Sequence, residues 1–268
     1  MATSAIFDFQ PGTTPLLVSM PHVGTQVPDD IGAIMTPAAG QLPDTDWYVD
    51  KLYDFLPSMG VSTLRANYSR YVVDLNRPPS GESLYPGQTV TGLCPTTLFT
   101  GEDIYRPGCT PDGDEIARRV EHYWTPYHQQ IQQTLAHLHS RFGYAILWDA
   151  HSIKSEVPAF FTGTLPDFNW GTADGKSCSG SLGEALIAAV HAKYSRAING
   201  RFKGGFITRE YGDPGRGIHA VQLELSQATY MSDQARFQYD DDKAARVKAL
   251  LQSLIEIVLS HRPKVVET

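Results

Sequence analysis

The most informative stretch of the sequence is an apolar run that ends in groups able to do chemistry. Residues 144–148 read Tyr-Ala-Ile-Leu-Trp, and Asp149, His151 and Ser152 follow directly. A short apolar run predicts a buried strand, and side chains alternate along a strand, so Asp149 and His151 point the same way. Ligands of open α/β sheets bind at the carboxyl ends of such strands. Taken alone, the segment also fits a strand that ends in a polar surface turn.

Two further segments offer groups of the same kind. Residues 16–20 form a second apolar run, and His22 lies just past its end. Residues 42–56 carry apolar side chains at helical spacing, which predicts a helix with Asp46 in its first turn. Asp46 could bind a ligand there, or it could simply interact with the positive end of the helix dipole.

Arginines bracket a predicted strand at residues 71–75. Arg70 precedes it, and the pair Asn76-Arg77 follows it before two prolines. Guanidinium groups suit bidentate binding of carboxylates. The alternative is that Arg70 and Arg77 form structural ion pairs with Asp74.

A carboxylate also occurs within the predicted strand 218–226. Glu224 shares one face of that strand with Gln222 and Ser226, while the apolar residues occupy the other face. Burying an unpaired carboxylate is costly. Glu224 is therefore either functional or paired with Arg209 or Arg216.

Together these segments predict a catalytic metal site. Two imidazoles and one carboxylate, here His22, Asp46 and His151, are a common ligand set for catalytic zinc. Asp149 would orient His151, and Glu224 is the candidate general base. No HExxH motif, GxSxG motif, P-loop or GxGxxG motif occurs in the sequence.

The surrounding pattern predicts one α/β domain. Residues 61–64 predict a strand, residues 112–142 a long helix disturbed by Pro126, and residues 181–196 and 241–259 two amphipathic helices. Residues 78–113 and 163–183 predict long loops, the second a flap, and residues 208–216 a turn-rich connector. No repeat or linker divides residues 1–268, and the core spans about 10–260.

Composition excludes several classes of protein. The 268 residues carry a formal net charge of −7, which argues against nucleic-acid binding. No apolar stretch approaches the ~20 residues of a membrane span, and residues 1–10 do not resemble a signal peptide. Three widely spaced cysteines predict unpaired thiols and a reducing cytoplasm. The sequence is silent on oligomeric state.

The ordered motifs resemble one known family. The stretches Val18–Gly24, Asp44–Asp46, Tyr71–Arg77, Trp148–Ser152 and Gln222–Leu225 closely resemble those of the N-formylglutamate amidohydrolases over roughly residues 10–260. That resemblance implies a single domain with a mixed, mainly parallel sheet flanked by helices, similar to zinc carboxypeptidases (phosphorylase/hydrolase-like) and aspartoacylase. Carboxypeptidases place a glutamate three residues after the first histidine, but Thr25 occupies that position here. The carboxylate ligand must therefore come from elsewhere, and we expect Asp46 rather than Asp44 or Asp50.

The resemblance also implies a function and residue roles. We expect zinc-dependent hydrolysis of N-formyl-L-glutamate, a small-molecule substrate, to formate and L-glutamate in histidine catabolism. One Zn²⁺ would be held by His22, Asp46 and His151, although another divalent metal is possible. Roles are then expected for Glu224 as the base, for Arg70 or Arg209 at the oxyanion, for Asn76-Arg77 at the α-carboxylate, and for Arg209 or Arg216 at the side-chain carboxylate. A desuccinylase-like deacylase and a metal-dependent binding protein are the alternatives.

Overall fold

The fold is built on a seven-stranded sheet. The computed structural model describes residues 5–84, 90–190, 193–232 and 237–262. Within them the strand order is β1-β3-β2-β4-β7-β5-β6. The strand bounds are Phe7–Gln10 (β1), Leu16–Met20 (β2), Ser62–Ala66 (β3), Ala145–Ile153 (β4), Phe168–Gly171 (β5), Arg196–Ile198 (β6) and Ile218–Ser226 (β7).

The centre of the sheet is parallel. Strands β3, β2, β4 and β7 run in one direction. Strand β1 pairs antiparallel with β3, and β5 pairs antiparallel with β7 and parallel with β6. The predicted mixed, mainly parallel sheet is therefore confirmed. The chain leaves β2 toward β3 on one side, while β4 lies on the other side. The carboxyl ends of β2 and β4 thus form a topological switch point, which is where open α/β sheets bind ligands.

Helices cover both faces of the sheet. The seven α-helices of the described residues are Asp29–Gly32 (α1), Val49–Leu52 (α2), Gly113–Arg119 (α3), Thr125–Phe142 (α4), Gly180–Ala189 (α5), Phe206–Tyr211 (α6) and Asp241–Ser260 (α7). Helices α2, α5 and α7 pack with Ile146 and Trp148 on one face. Helix α4 packs with Leu17 and Leu147 on the other. By strand alternation, Asp149 and His151 point to the α4 face, as Leu147 does.

The strongest periodic signals are confirmed. Strands β2, β4 and β7 and helix α7 form where the sequence predicts them. The long helix predicted over 112–142 is also present, with Asp112 accepting a hydrogen bond from the Glu115 amide as its N-cap. A π-helical turn at Val120–Trp124 separates α3 from α4 just before Pro126, because proline cannot donate a backbone hydrogen bond.

Several predicted elements are wrong. Residues 71–75 form no strand: the carbonyls of Tyr71 and Val72 accept hydrogen bonds from Arg119 instead of from a neighbouring strand. Asp46 precedes α2 rather than lying in its first turn, because Tyr48 adopts a left-handed φ of 63° between them. The helix predicted over 181–196 ends at Ala189.

Two of the predicted loops contain regular structure. The segment 163–183 includes β5, which pairs with β7 in the sheet. The prediction that this whole segment is a flap is therefore wrong. The segment 208–216 includes part of α6 and a 3₁₀ turn at Pro214–Arg216. None of the described helices has the length and apolar character that a membrane span requires.

Candidate active site

Three elements bring His22, Asp46 and His151 together at the switch point. His22 lies two residues past β2, and His151 lies near the end of β4. Asp46 comes from the loop before α2, and its amide donates to the His22 carbonyl at 3.0 Å. All three side chains are buried. The predicted convergence of these residues is thus present, although Asp46 reaches it from a loop.

The geometry of this triad suits a metal ion. One potential ligand atom from each residue lies within 4.8 Å of the others. Nδ1 of His151 is 3.0 Å from Oδ2 of Asp46, and Nδ1 of His22 is 3.8 Å from the same oxygen. Two imidazole nitrogens and a carboxylate oxygen form a donor set typical of catalytic zinc, which keeps a further position open.

A second carboxylate orients each imidazole. Asp149 lies 2.8 Å from Nε2 of His151, as the sequence predicted, and Asp74 lies 2.7 Å from Nε2 of His22. In each imidazole, Nε2 therefore faces this second carboxylate and Nδ1 faces Asp46. Carboxylate–histidine pairs of this kind are common behind metal ligands. Sequence reasoning treated Asp74 only as an ion-pair partner, because it lies in the segment wrongly predicted as a strand.

The charges around the triad also favour a bound cation. Asp46, Asp74, Asp149 and Glu224 are all buried here. Burial lowers the pKa of His151, but the charges of Asp149 and Asp46 outweigh burial and hold this pKa well above its ordinary value. Such a local excess of negative charge is costly to bury uncompensated. The donor set and the charge therefore both fit a divalent metal.

Arg70 is the guanidinium closest to the triad. Its Nη2 donates to Asp74 at 2.7 Å, and its Nη1 lies 3.9 Å from Asp46. Burial lowers the pKa of Arg70, but these two carboxylates raise it above its ordinary value. The ion pair with Asp74 considered from the sequence is present. Arg70 also lines the cleft, so its pairing with Asp74 does not remove it from the surface that a ligand would contact.

Glu224 lies beside His151 across the sheet. The two residues are register partners on β7 and β4, and both line the cleft. Burial raises the pKa of Glu224 to about 8. Gln222 lies 3.4 Å from its carboxylate and accepts a hydrogen bond from the Gly205 amide. Neither Arg209 nor Arg216 is the hydrogen-bond partner of Glu224 seen here.

Asn76 and Arg77 also border the cleft. The side-chain nitrogen of Asn76, Nδ2, donates to Asp149 at 3.0 Å. The guanidinium of Arg77 donates to the carbonyl and the hydroxyl of Thr91, each at 2.9 Å. These contacts fix the side chain at the rim of the cleft.

The structure does not bring Arg209 and Arg216 into the cleft. Arg209 lies in α6, where its Nε donates to the Gly204 carbonyl at 2.8 Å. Arg216 is exposed just before the start of β7, whereas Glu224 lies eight residues along that strand, roughly 25 Å away. The structure therefore places Arg216 at the amino end of β7, away from Glu224, because the turn-rich segment that carries it ends there.

Sequence reasoning missed the aromatic side of the cleft. Phe99, Phe160, Phe202 and Arg201 line it. These residues come from three irregular segments that show no periodicity, so no strand or helix pattern marks them. The only available signal was an arginine next to an aromatic residue in a glycine-rich segment at 200–205.

Residues 14–231 match the sequence model of the N-formylglutamate amidohydrolases. The chain belongs to the N-formylglutamate amidohydrolase family. It is 51% identical over 258 residues to an N-formylglutamate deformylase of Pseudomonas aeruginosa and 48% identical over 257 residues to that of Pseudomonas putida. Both alignments cover 95% of this chain and 96% of the relative. The chain is accordingly an amidohydrolase.

Two solved structures have a fold similar to that of this chain. A crystal structure of the N-formylglutamate amidohydrolase from Ralstonia eutropha matches with a TM-score of 0.80 at 25% identity, covering 95% of this chain and 97% of that chain. A gene product of Agrobacterium tumefaciens matches with a TM-score of 0.73 at 17% identity, covering 95% of each chain, which bears on the fold alone.

The absence of a side chain at Gly205 leaves the space that the Asn76 side chain occupies. A Cβ at Gly205 would lie 2.4–2.5 Å from three side-chain atoms of Asn76. Asn76 cannot move aside easily, since its Oδ1 accepts from the Ile207 amide at 2.8 Å while its nitrogen donates to Asp149. The backbone at 205–207 therefore clamps Asn76 against Asp149.

We predict that Gly205→Ala displaces Asn76 and lowers kcat/KM for formate release from N-formyl-L-glutamate at least about tenfold, because small misplacements in an active site are costly. Gly40→Ala is the matched control, since a Cβ there meets nothing within 4 Å, and it should leave kcat/KM unchanged. Circular dichroism would confirm that both variants fold. A folded Gly205→Ala protein with normal kcat/KM would contradict the role given to the clamp.

Proposed function

We propose that this chain hydrolyses N-formyl-L-glutamate to formate and L-glutamate with one bound zinc ion. The observation that carries the proposal is the buried triad His22, Asp46 and His151 beside Glu224 in a cleft lined by arginines. Relatives about 50% identical over nearly the whole chain are named for this reaction. We further propose that the reaction is the last step of a histidine degradation route in the cytoplasm. The unpaired cysteines support a reducing compartment.

The triad would hold the zinc ion. When bound, zinc acts as a Lewis acid toward a carbonyl oxygen and makes water a stronger nucleophile at neutral pH. His22 and His151 are oriented for this purpose by Asp74 and Asp149. With the ring proton of each imidazole on Nε2, facing these carboxylates, Nδ1 would be the nitrogen that binds the zinc ion.

Glu224 is the proposed general base. Its carboxylate takes a proton from the attacking water and passes it to the nitrogen of the departing glutamate. Burial raises the pKa of Glu224, which makes its carboxylate a stronger base than that of an exposed glutamate. Arg70 is the proposed partner of the formyl oxygen, because it is the most deeply buried cation of the cleft. A positive charge fixed in advance stabilises the negative charge that develops there.

Asn76 and Arg77 are proposed to bind the α-carboxylate. Arg77 lies at the rim, and two hydrogen bonds to Thr91 hold its guanidinium in a defined orientation. Fixing the side chain in advance reduces the entropy lost when a substrate binds. The substrate would then enter with its formyl group toward the triad and its α-carboxylate at the rim.

Formate release tests the proposed function directly. Purified protein loaded with zinc should release formate and L-glutamate in equal amounts from N-formyl-L-glutamate. N-succinyl- and N-acetyl-amino acids test the alternative of another N-acyl-amino-acid deacylase. Faster hydrolysis of either analogue would replace the proposed substrate, and zinc binding with no turnover on any of them would indicate a binding protein.

We predict that Glu224→Gln retains zinc and fold but loses about 10²–10⁴ in kcat, since the amide keeps the shape of the side chain and cannot accept the proton. Glu184→Gln, at an exposed position of α5, is the control and should keep full activity. Steady-state kinetics and elemental analysis of both variants provide the measurement. Near-normal kcat in Glu224→Gln would assign Glu224 a structural role instead.

We predict that Arg77→Ala lowers kcat/KM by a similar factor, at least about tenfold, for N-formyl-L-glutamate and N-formyl-L-glutamine. Both substrates keep the α-carboxylate, and a hydrogen bond to a charged group contributes about 1.5–3 kcal/mol. Arg77→Lys should recover part of the loss. A loss confined to N-formyl-L-glutamate would instead place Arg77 at the side-chain carboxylate.

A further inference from the structure

Three guanidinium groups line the cleft, and they are not equivalent. Arg70, Arg77 and Arg201 are the arginines that line the cleft in the described part of the chain. Arg70 lies deepest and is neutralised by Asp74 at 2.7 Å and by Asp46 at 3.9 Å. A substrate with two carboxylates therefore has Arg77 and Arg201 as its cationic contacts toward the opening.

Arg77 and Arg201 belong to different parts of the wall. Arg77 is held by Thr91, in the loop that follows it. Arg201 comes from the segment between β6 and α6, and its Nε donates to the Phe160 carbonyl at 2.8 Å. Separate segments of the chain thus anchor the two guanidiniums of this one cleft.

The surroundings of Arg201 suit a charged ligand group. Its guanidinium carbon lies 5.4 Å from the ring centre of Phe202 and 6.0 Å from that of Phe160. These rings restrict the orientation of the side chain and lower the local polarity, which strengthens its interaction with an anion. A guanidinium is also a planar donor that matches a carboxylate in shape.

We propose that Arg201 binds the side-chain carboxylate of the substrate and makes the enzyme selective for N-formyl amino acids with an acidic side chain. This inference rests on the proposed function and assigns to Arg201 the contact that the sequence analysis expected of Arg209 or Arg216. A site that pairs a guanidinium with a carboxylate disfavours a neutral analogue, because the analogue cannot form the charged hydrogen bonds that the carboxylate forms.

The test compares N-formyl-L-glutamate with N-formyl-L-glutamine, which carries an amide in place of the side-chain carboxylate. Wild type should prefer the glutamate substrate at least about tenfold in kcat/KM. Arg201→Met, which keeps an apolar stem of similar length, should lower kcat/KM for N-formyl-L-glutamate at least tenfold. It should change the value for N-formyl-L-glutamine far less, so that the preference collapses.

Two further variants separate the charge from the fold. Arg201→Lys keeps the positive charge and should recover part of the preference. Arg209→Met removes a guanidinium from α6, outside the cleft lining, and should keep the wild-type preference. If Arg201→Met instead loses equal factors on both substrates, or keeps the wild-type preference, the inference is overturned.

The same assay distinguishes failure of the inference from failure of the proposed function. A wild type that releases formate from N-formyl-L-glutamate with no preference over N-formyl-L-glutamine overturns the role of Arg201 and leaves the deformylase activity in place. A zinc-loaded wild type that releases formate from neither substrate overturns the proposed function and the inference with it.

Discussion

The structure depends on burying four carboxylates at one edge of the sheet. Asp46, Asp74, Asp149 and Glu224 are all nearly inaccessible to solvent. Arg70 pairs with Asp74 at 2.7 Å and lies 3.9 Å from Asp46. Moving an ion out of water costs several kcal/mol even after relaxation. Groups of opposite charge must offset these carboxylates, so we expect the stability of this edge to rise when a cation binds.

The sheet makes that cluster possible. The register of β4 and β7 places His151 beside Glu224. Strands β3 and β4 lie on opposite sides of β2, and a crevice forms at the carboxyl ends of the strands where the strand order reverses. The loops then complete the site. The Asp46 amide bonds to the His22 carbonyl, and the Ile207 amide bonds to the Asn76 side chain. Backbone contacts from distant segments therefore set the positions of Asp46 and Asn76 in the site.

The sequence predicted those parts of the site that lie on or next to regular strands. His22, Asp149, His151 and Glu224 follow or occupy apolar runs whose period is unambiguous, and all four lie at the predicted edge. Residues in irregular segments could not be placed in this way. Arg201 and Phe99 reach the cleft through loops whose course depends on long-range contacts, such as the Phe99 amide donating to Asp44. Asp74 was misjudged because the buried loop around it is rich in apolar residues and so resembles the apolar run of a buried strand.

The most direct test of the central claim is the zinc content of wild type and of His151→Ala after dialysis against a weak chelator and reloading with zinc. We predict one zinc per chain in wild type, with an X-ray absorption spectrum showing nitrogen and oxygen ligands that include two imidazoles. His151→Ala should retain far less than one zinc, whereas His122→Ala, at an exposed position, should match wild type. Full zinc occupancy in His151→Ala, or sulfur ligation in wild type, would contradict the assignment of His22, Asp46 and His151 as the metal ligands.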